Sequence, residues 1–179
     1  MFEGKSIRLR AYSKADLKLA TAYLNDLETR SLMWPGIMFP LREEDEESWY
    51  NSFHAMSNGD YNFAIETISD TIYIGGCGIK GTDLKNRFAE IGIFLGKDFI
   101  NKGYGTEAMG LLVDFCFGEL NLNKVKLQVY EFNKRARRSY EKLGFKQEGM
   151  LREEIYRKGS YHDVLVMGLL KTEWSGIEK

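Results

Sequence analysis

Residues 89–108 read "AEIGIFLGKDFINKGYGTEA". With Phe88 ahead of it, the run "FAEIGIFL" predicts a strand over residues 88–95, apolar and bounded by glycine. Gly92 inside that strand points to a bulge or to a close backbone approach. The stretch "GKDFINKGYG" then reads as a loop. Beyond it Ala108, Leu111, Leu112, Phe115 and Cys116 recur on one face of a helix. Gly103 and Gly105 lack a Cβ, so the chain can turn tightly there and bring its amides close to a ligand. The helix that follows presents unpaired amides and the positive end of its dipole. Lys102 adds a full charge. This combination suits a pyrophosphate. A plain surface turn into a helix uses the same glycines, so the pair alone does not decide between them.

A dinucleotide fingerprint is a competing reading. Gly103, Gly105 and Ala108 have its spacing, and Glu131 ends the next predicted strand. That fingerprint needs its glycines directly at the end of the strand. Here "GKDFINK" intervenes after Leu95, which argues against a nicotinamide or flavin protein.

Upstream, "SIRLRAY" alternates through Ile7, Leu9 and Ala11 as a strand does. "SKADLKLATAYLND" follows as a helix. Ser13 caps it, Asp16 sits at the capping-box spacing, and Leu17, Ala20 and Leu24 form its apolar face. "WPGIMFP" is a loop. "REEDEESWYNSFHAM" reads as a helix with its acids at the front, where the dipole favours them. "YNFAIET" and "TIYIGGCGIKG" form a hairpin joined near Ser69 and Asp70. Downstream, "KVKLQVY" is a strand. Asn133 caps a helix over "KRARRSYEKL", and Gly144 stops it. "YRKGSYHDVLVMGLL" closes the chain as a hairpin turned at Lys158 and Gly159. The order of elements gives a mixed α/β sheet with helices packed on it.

The bulk numbers agree with one such domain over residues 1–179. A chain of 179 residues buries roughly 70% of its unfolded surface on folding. Hydrophobic residues make up 44% and charged ones 28%, as in ordinary globular proteins. A net charge of −1 gives no electrostatic footprint for nucleic acid. No apolar run is long enough to span a membrane, and the first ten residues carry no apolar signal core. Cys77 and Cys116 have no metal-like spacing, and no metal site is expected. Two cysteines without a secretion signal fit a reducing compartment, so a cytoplasmic protein is expected.

The combination "AEIGIFLGKDFINKGYGTEA … VYEFNKRARRSYEKLGF" resembles the GNAT superfamily of acetyl-CoA-dependent N-acetyltransferases. The tail "YRKGSYHDVLVMGLL" is similar to the branch with ribosomal-protein N-terminal acetyltransferases and spermidine acetyltransferases. The resemblance implies a mostly antiparallel central sheet with a splayed strand pair and helices on both faces. It implies that free backbone groups of Ile93, Phe94 and Leu95 bond the pantetheine arm of acetyl-CoA. The loop Asn101, Lys102, Gly103, Tyr104, Gly105 and Thr106 would wrap the pyrophosphate. Asn133 would bond the pantetheine side, and Tyr140 would sit near the thioester sulfur. The family often has Arg or Gln where this chain has Ile100, and Gly where it has Asn101; backbone amides serve phosphate at both positions. The acceptor implied is a primary amine, either a protein N-terminus or a small polyamine. A homodimer is the family-based expectation.

Acetyl transfer explains why these residue types matter. The amine must be neutral to attack. A strand amide near Ile93 can stabilise the developing oxyanion. The departing thiolate, from a thiol near ~8.5, needs a proton that a tyrosine can donate. Tyr140 is the candidate acid, although Ala136, Tyr140 and Leu143 also form a packing stripe. Glu90 is the candidate base or proton relay, and equally reads as a solvated strand acid. Residues 43–47 could draw a polyamine, but a solvated helix front accounts for them. His54, His162, Cys77 and Cys116 read as structural or surface residues. Trp34 and Trp49, with Phe39 and Tyr50, could wall an acceptor site or simply pack. A cofactor-sensing module without catalysis is the alternative outside the enzyme class, and Tyr140 argues against it.

Overall fold

The computed structural model describes residues 2–52 and 60–177. Among these residues eight strands form one sheet in the order β1-β2-β3-β4-β5-β6-β8-β7. They are β1 (Phe2–Glu3), β2 (Ile7–Arg10), β3 (Tyr61–Thr67), β4 (Tyr73–Asp83), β5 (Phe88–Leu95), β6 (Lys124–Tyr130), β7 (Lys146–Arg157) and β8 (Ser160–Leu170). The helices are α1 (Leu17–Asn25), α2 (Leu27–Ser31), α3 (Glu43–Asn51), α4 (Tyr104–Gly118) and α5 (Lys134–Lys142). All neighbouring pairs are antiparallel except β5 with β6.

Helices cover both faces. On one, α4 is apolar nearly all round, and Met109, Leu112, Val113 and Cys116 are fully buried. They join Ile65, Ile74, Ile79, Ile91 and Leu127 in the main core. On the other, Ala20 of α1 packs with Ala64 and Tyr73. An irregularity at Ile65/Glu66 explains how Tyr73 and Cys77, an even number of residues apart, reach opposite faces: one extra residue reverses the alternation.

The register of β5 decides where the site lies. Against β4 it is paired along its length, from Gly75↔Leu95 to Asp83↔Phe88. Against β6 it pairs only at Phe88↔Lys124, Ala89↔Val125 and Glu90↔Lys126. Past that point β6 stays with β8 as far as Tyr130↔Val164. The sheet therefore forks after Glu90, which is the expected splayed pair.

Several local expectations change. The first strand stops at Arg10, leaving Ala11 exposed outside it. Gly92 makes no bulge: it pairs regularly with Gly78, and a Cβ there would meet nothing within 4 Å. The helix drawn over residues 42–56 is described as Glu43–Asn51; residues 53–56, with His54, lie outside the described residues. The closing hairpin turns at Lys158 and Gly159, both at positive φ, but its first strand already begins at Lys146.

Candidate active site

The fork opens a cleft of about 1390 Å3. Residues 90–95 of β5 form one wall, and Gln128, Val129 and Tyr130 of β6 the other. The start of α4 and one side of α5 close one end; α2, α3 and the loop at Trp34 close the other.

At the first end, Gly103 caps α4 at φ +85, in the left-handed region. A Cβ there would meet nothing within 4 Å, so backbone conformation, not crowding, requires glycine. Asn101 is also left-handed, at φ +62, a conformation asparagine tolerates. The turn delivers the unpaired first amides of α4 to the cleft, an arrangement that suits a phosphate. A Cβ on Gly105 would lie 3.4 Å from Leu95 Cδ1, so α4 starts close against β5. The hydroxyls of Thr106 and Ser139 meet at 2.6 Å and tie α4 to α5. Arg135, Arg138 and Lys142, at helical i, i+3 and i+7 positions, line the same region, whereas Arg137 pairs with Glu141 at 2.8 Å.

Asn101, Gly103, Gly105, Thr106, Ile93, Phe94, Leu95, Asn133, Glu90 and Tyr140 all line the cleft. The side chains of Lys102 and Tyr104 do not. Lys102 Nζ lies 5.6 Å from the Phe99 ring centroid, and Tyr104 packs on the main core. Asn133 Oδ1 accepts the Ala136 amide at 3.2 Å as the cap of α5. That leaves its Nδ2 group as the natural donor to a ligand.

Tyr140 is buried, with its ring 6.0 Å from that of Phe145. Burial pushes its hydroxyl up to about 12, so it stays protonated at any ordinary pH. Glu90 is half-buried and stands on the last rung before the fork. Cys77 reaches the cleft lining, but burial pushes its thiol well above the usual range, which makes it a poor nucleophile. Cys116, pushed up to about 12 by burial, is packing.

The far end carries Tyr12, Arg30, Met33, Trp34, Trp49 and Glu154. Tyr12 and Trp49 meet edge to face at 5.2 Å. Phe39 is largely exposed, and neither it nor Tyr50 lines the cleft. The acidic run divides. Glu43, Glu44 and Glu47 are exposed, as a solvated helix front requires. Glu46 is not: it is buried, lines the cleft, and has a carboxyl raised by desolvation that the charge of Arg30 partly offsets. Asp45 is held by Arg42 at 2.9 Å. His162 lies outside the cleft, 3.2 Å from Glu131. Among the described residues, no group of three or more His, Cys, Asp or Glu could hold a metal ion, and no helix is long and apolar enough to cross a membrane.

Sequence reasoning missed Ser139, Arg30 and the basic stripe of α5. The stripe was visible as spacing, but which way it faced was not.

Comparison with known proteins gives a consistent result. Residues 6–146 match the family model described as an acetyltransferase (GNAT) domain. Over 98 residues the chain is 39% identical to YdaF of Bacillus subtilis (strain 168), by name a ribosomal N-acetyltransferase; the match covers 55% of this chain and about half, 54%, of that relative's length. It is 30% identical over 172 residues to the spermidine N(1)-acetyltransferase of Vibrio cholerae serotype O1, covering 96% of each. The crystal structure of spermidine N-acetyltransferase from Vibrio cholerae in complex with CoA and spermine superimposes with a TM-score of 0.85, at 29% identity, covering 93% of this chain and 96% of that one.

Proposed function

This chain belongs to the GNAT acetyltransferase family, and from that premise we propose that it moves an acetyl group from acetyl-CoA to a primary amine. Attack is direct, within a ternary complex. The observation that carries this reading is the fork after Glu90 and Lys126. It frees the edge of β5 beside a helix N-terminus, in a cleft that the buried Tyr140 also lines.

The pantetheine arm lies along the free edge of β5, adding to it as a strand would, with Asn133 on its other side. The pyrophosphate sits at residues 101–106. The neutral amine nitrogen attacks the thioester carbon, and the amide near Ile93 steadies the developing oxyanion. The C–S bond breaks, sulfur receives the Tyr140 proton, and the proton lost by the amine passes to Glu90 or to water. A hydroxyl at about 12 is a weaker acid than the thiol it serves. Tyr140 therefore acts first as a hydrogen-bond donor to the sulfur while charge builds, and its own proton is then restored from solvent. The high thiol of Cys77 argues against an acyl-enzyme.

For the acceptor we favour a protein or peptide N-terminal α-amine. It titrates near ~8 and needs little help to lose its proton. Asp45 is engaged by Arg42 and Glu46 lies within reach of the Arg30 charge, which weakens the pull of this end on a polycation. A polyamine is the second reading, because Glu28, Asp45, Glu46 and Glu154 all line the cleft. Release of CoA thiol from acetyl-CoA tests both. Short peptides should be turned over, and blocking their α-amine should abolish it. Efficient turnover of spermidine with silent peptides would establish the second reading instead, and release with no amine of either kind would contradict both.

A further inference from the structure

Arg30 of α2 is only 4% exposed, yet it lines the cleft. Its contacts leave it incompletely held. Nη1 reaches Asn25 Oδ1 at 3.4 Å, a long distance for such a bond. Asn25 cannot come closer freely, because it exchanges two hydrogen bonds of 2.8 Å with the backbone of Leu41. The guanidinium lies 5.2 Å from the Trp34 ring centroid. Among the described residues its Nε has no hydrogen-bond partner. A buried charged donor left unmade is costly, and arginine cannot shed its proton to escape.

The chemistry of such a guanidinium is selective. A guanidinium takes carboxylate or carbonyl oxygens in the plane of its fork. It repels a second cation. The Trp34 ring lies beside it and Leu41 is tied to the Asn25 that it reaches, so an oxygen bound there is shielded from water on that side. Glu46 stands near enough for its charge to act on the cation, without a direct bond to it.

We propose that Arg30 determines acceptor specificity by binding an oxygen of the acceptor, so that this site takes α-aminoacyl compounds, a peptide N-terminus or an amino acid, in preference to polyamines. This deepens the reading of the cleft as an acetyltransferase site and rests on it.

The test is binding, not turnover. Trialanine, alanine and spermidine are titrated by NMR into the wild-type protein, Arg30→Gln and Arg30→Lys, each with and without saturating CoA. The wild type should bind trialanine or alanine, the two distinguishing peptide from free amino acid. Arg30→Gln should weaken that binding at least tenfold, with spermidine binding unchanged or tighter. Arg30→Lys keeps the charge without the fork and should fall between. If Arg30→Gln does not fold, Arg30→Lys decides alone, by a loss confined to the aminoacyl ligands. Undiminished trialanine and alanine binding in the variants, no binding of either by the wild type, or a parallel loss of spermidine would overturn the proposal. Failure of CoA itself to bind would count against the acetyl-CoA reading, while the CoA-free titrations would still decide the role of Arg30.

Discussion

Glu90 and Lys126 face each other on the last rung that joins β5 to β6. Beyond them β5 keeps only one partner, β4. Its outward amides and carbonyls between residues 91 and 95 look into the cleft. Unpaired strand groups are a template for an added strand.

Hydrogen exchange should report that addition. On binding acetyl-CoA, amides of residues 91–95 that point away from β4 should slow markedly, while those bonded to β4 change little. Uniform exchange across β5 with and without acetyl-CoA would place the ligand elsewhere.

Gly103→Val should weaken acetyl-CoA at least about tenfold, or about 1.4 kcal/mol. The left-handed φ of +85 disfavours any branched side chain, and the open space beside it is where the ligand would approach. Calorimetry on a variant whose melting temperature shows it folded checks this. Undiminished affinity would remove residues 101–106 from the site.

Stability should fall steeply in alkali. Burial raises Tyr140 from 10.0 to about 12 and Cys116 from 9.0 to about 12. In each case the unfolded chain loses the proton first, so stability is complete below the unfolded value and lost as pH rises through the folded one. Urea unfolding should show a plateau up to about pH 9 and a decline from pH 9 to 12. Tyr140→Phe should shallow the decline above pH 10. A flat profile to pH 12 would contradict the burial of both groups.

Glu66 links Arg8 and Arg10, accepting from Arg8 Nε at 2.7 Å and from Arg10 Nε at 2.5 Å. Arg10 also holds Asp16 at 2.7 Å. Glu66→Ala would remove the carboxylate that both guanidiniums share in a largely buried setting, leaving Arg10 with Asp16 alone, and should cost about 3 kcal/mol. The midpoint of urea unfolding measures it; a change below about 1 kcal/mol would mean that solvent already compensates these charges.

The strand over residues 88–95 was legible because an apolar run met glycine at its end. Both ends of α5 were legible because Asn133 and Gly144 each leave a local signature: a side-chain cap and a positive φ. The fork itself came through family resemblance alone. An unpaired strand edge is a backbone property and leaves no pattern in side chains. Of the two readings of Gly92, the bulge fails because it pairs regularly with Gly78, while its place in the cleft lining leaves room for a close backbone approach. The burial of Arg30 and Glu46 had no local signal at all. A charged residue in a short helix reads as surface until other segments close over it, and around Arg30 the Trp34 ring and the bonded pair of Asn25 and Leu41 do so.

Tyr140→Phe tests acetyl transfer in this cleft most directly. The change keeps the ring against Phe145 and removes only the hydroxyl. With a primary-amine acceptor and saturating acetyl-CoA, kcat should fall at least about 10²-fold, while acetyl-CoA affinity and melting temperature near neutral pH hardly move, because the lost interaction belongs to the transition state. Wild-type kcat in the Phe variant would contradict the account, showing that the buried hydroxyl takes no part in the departure of the thiolate.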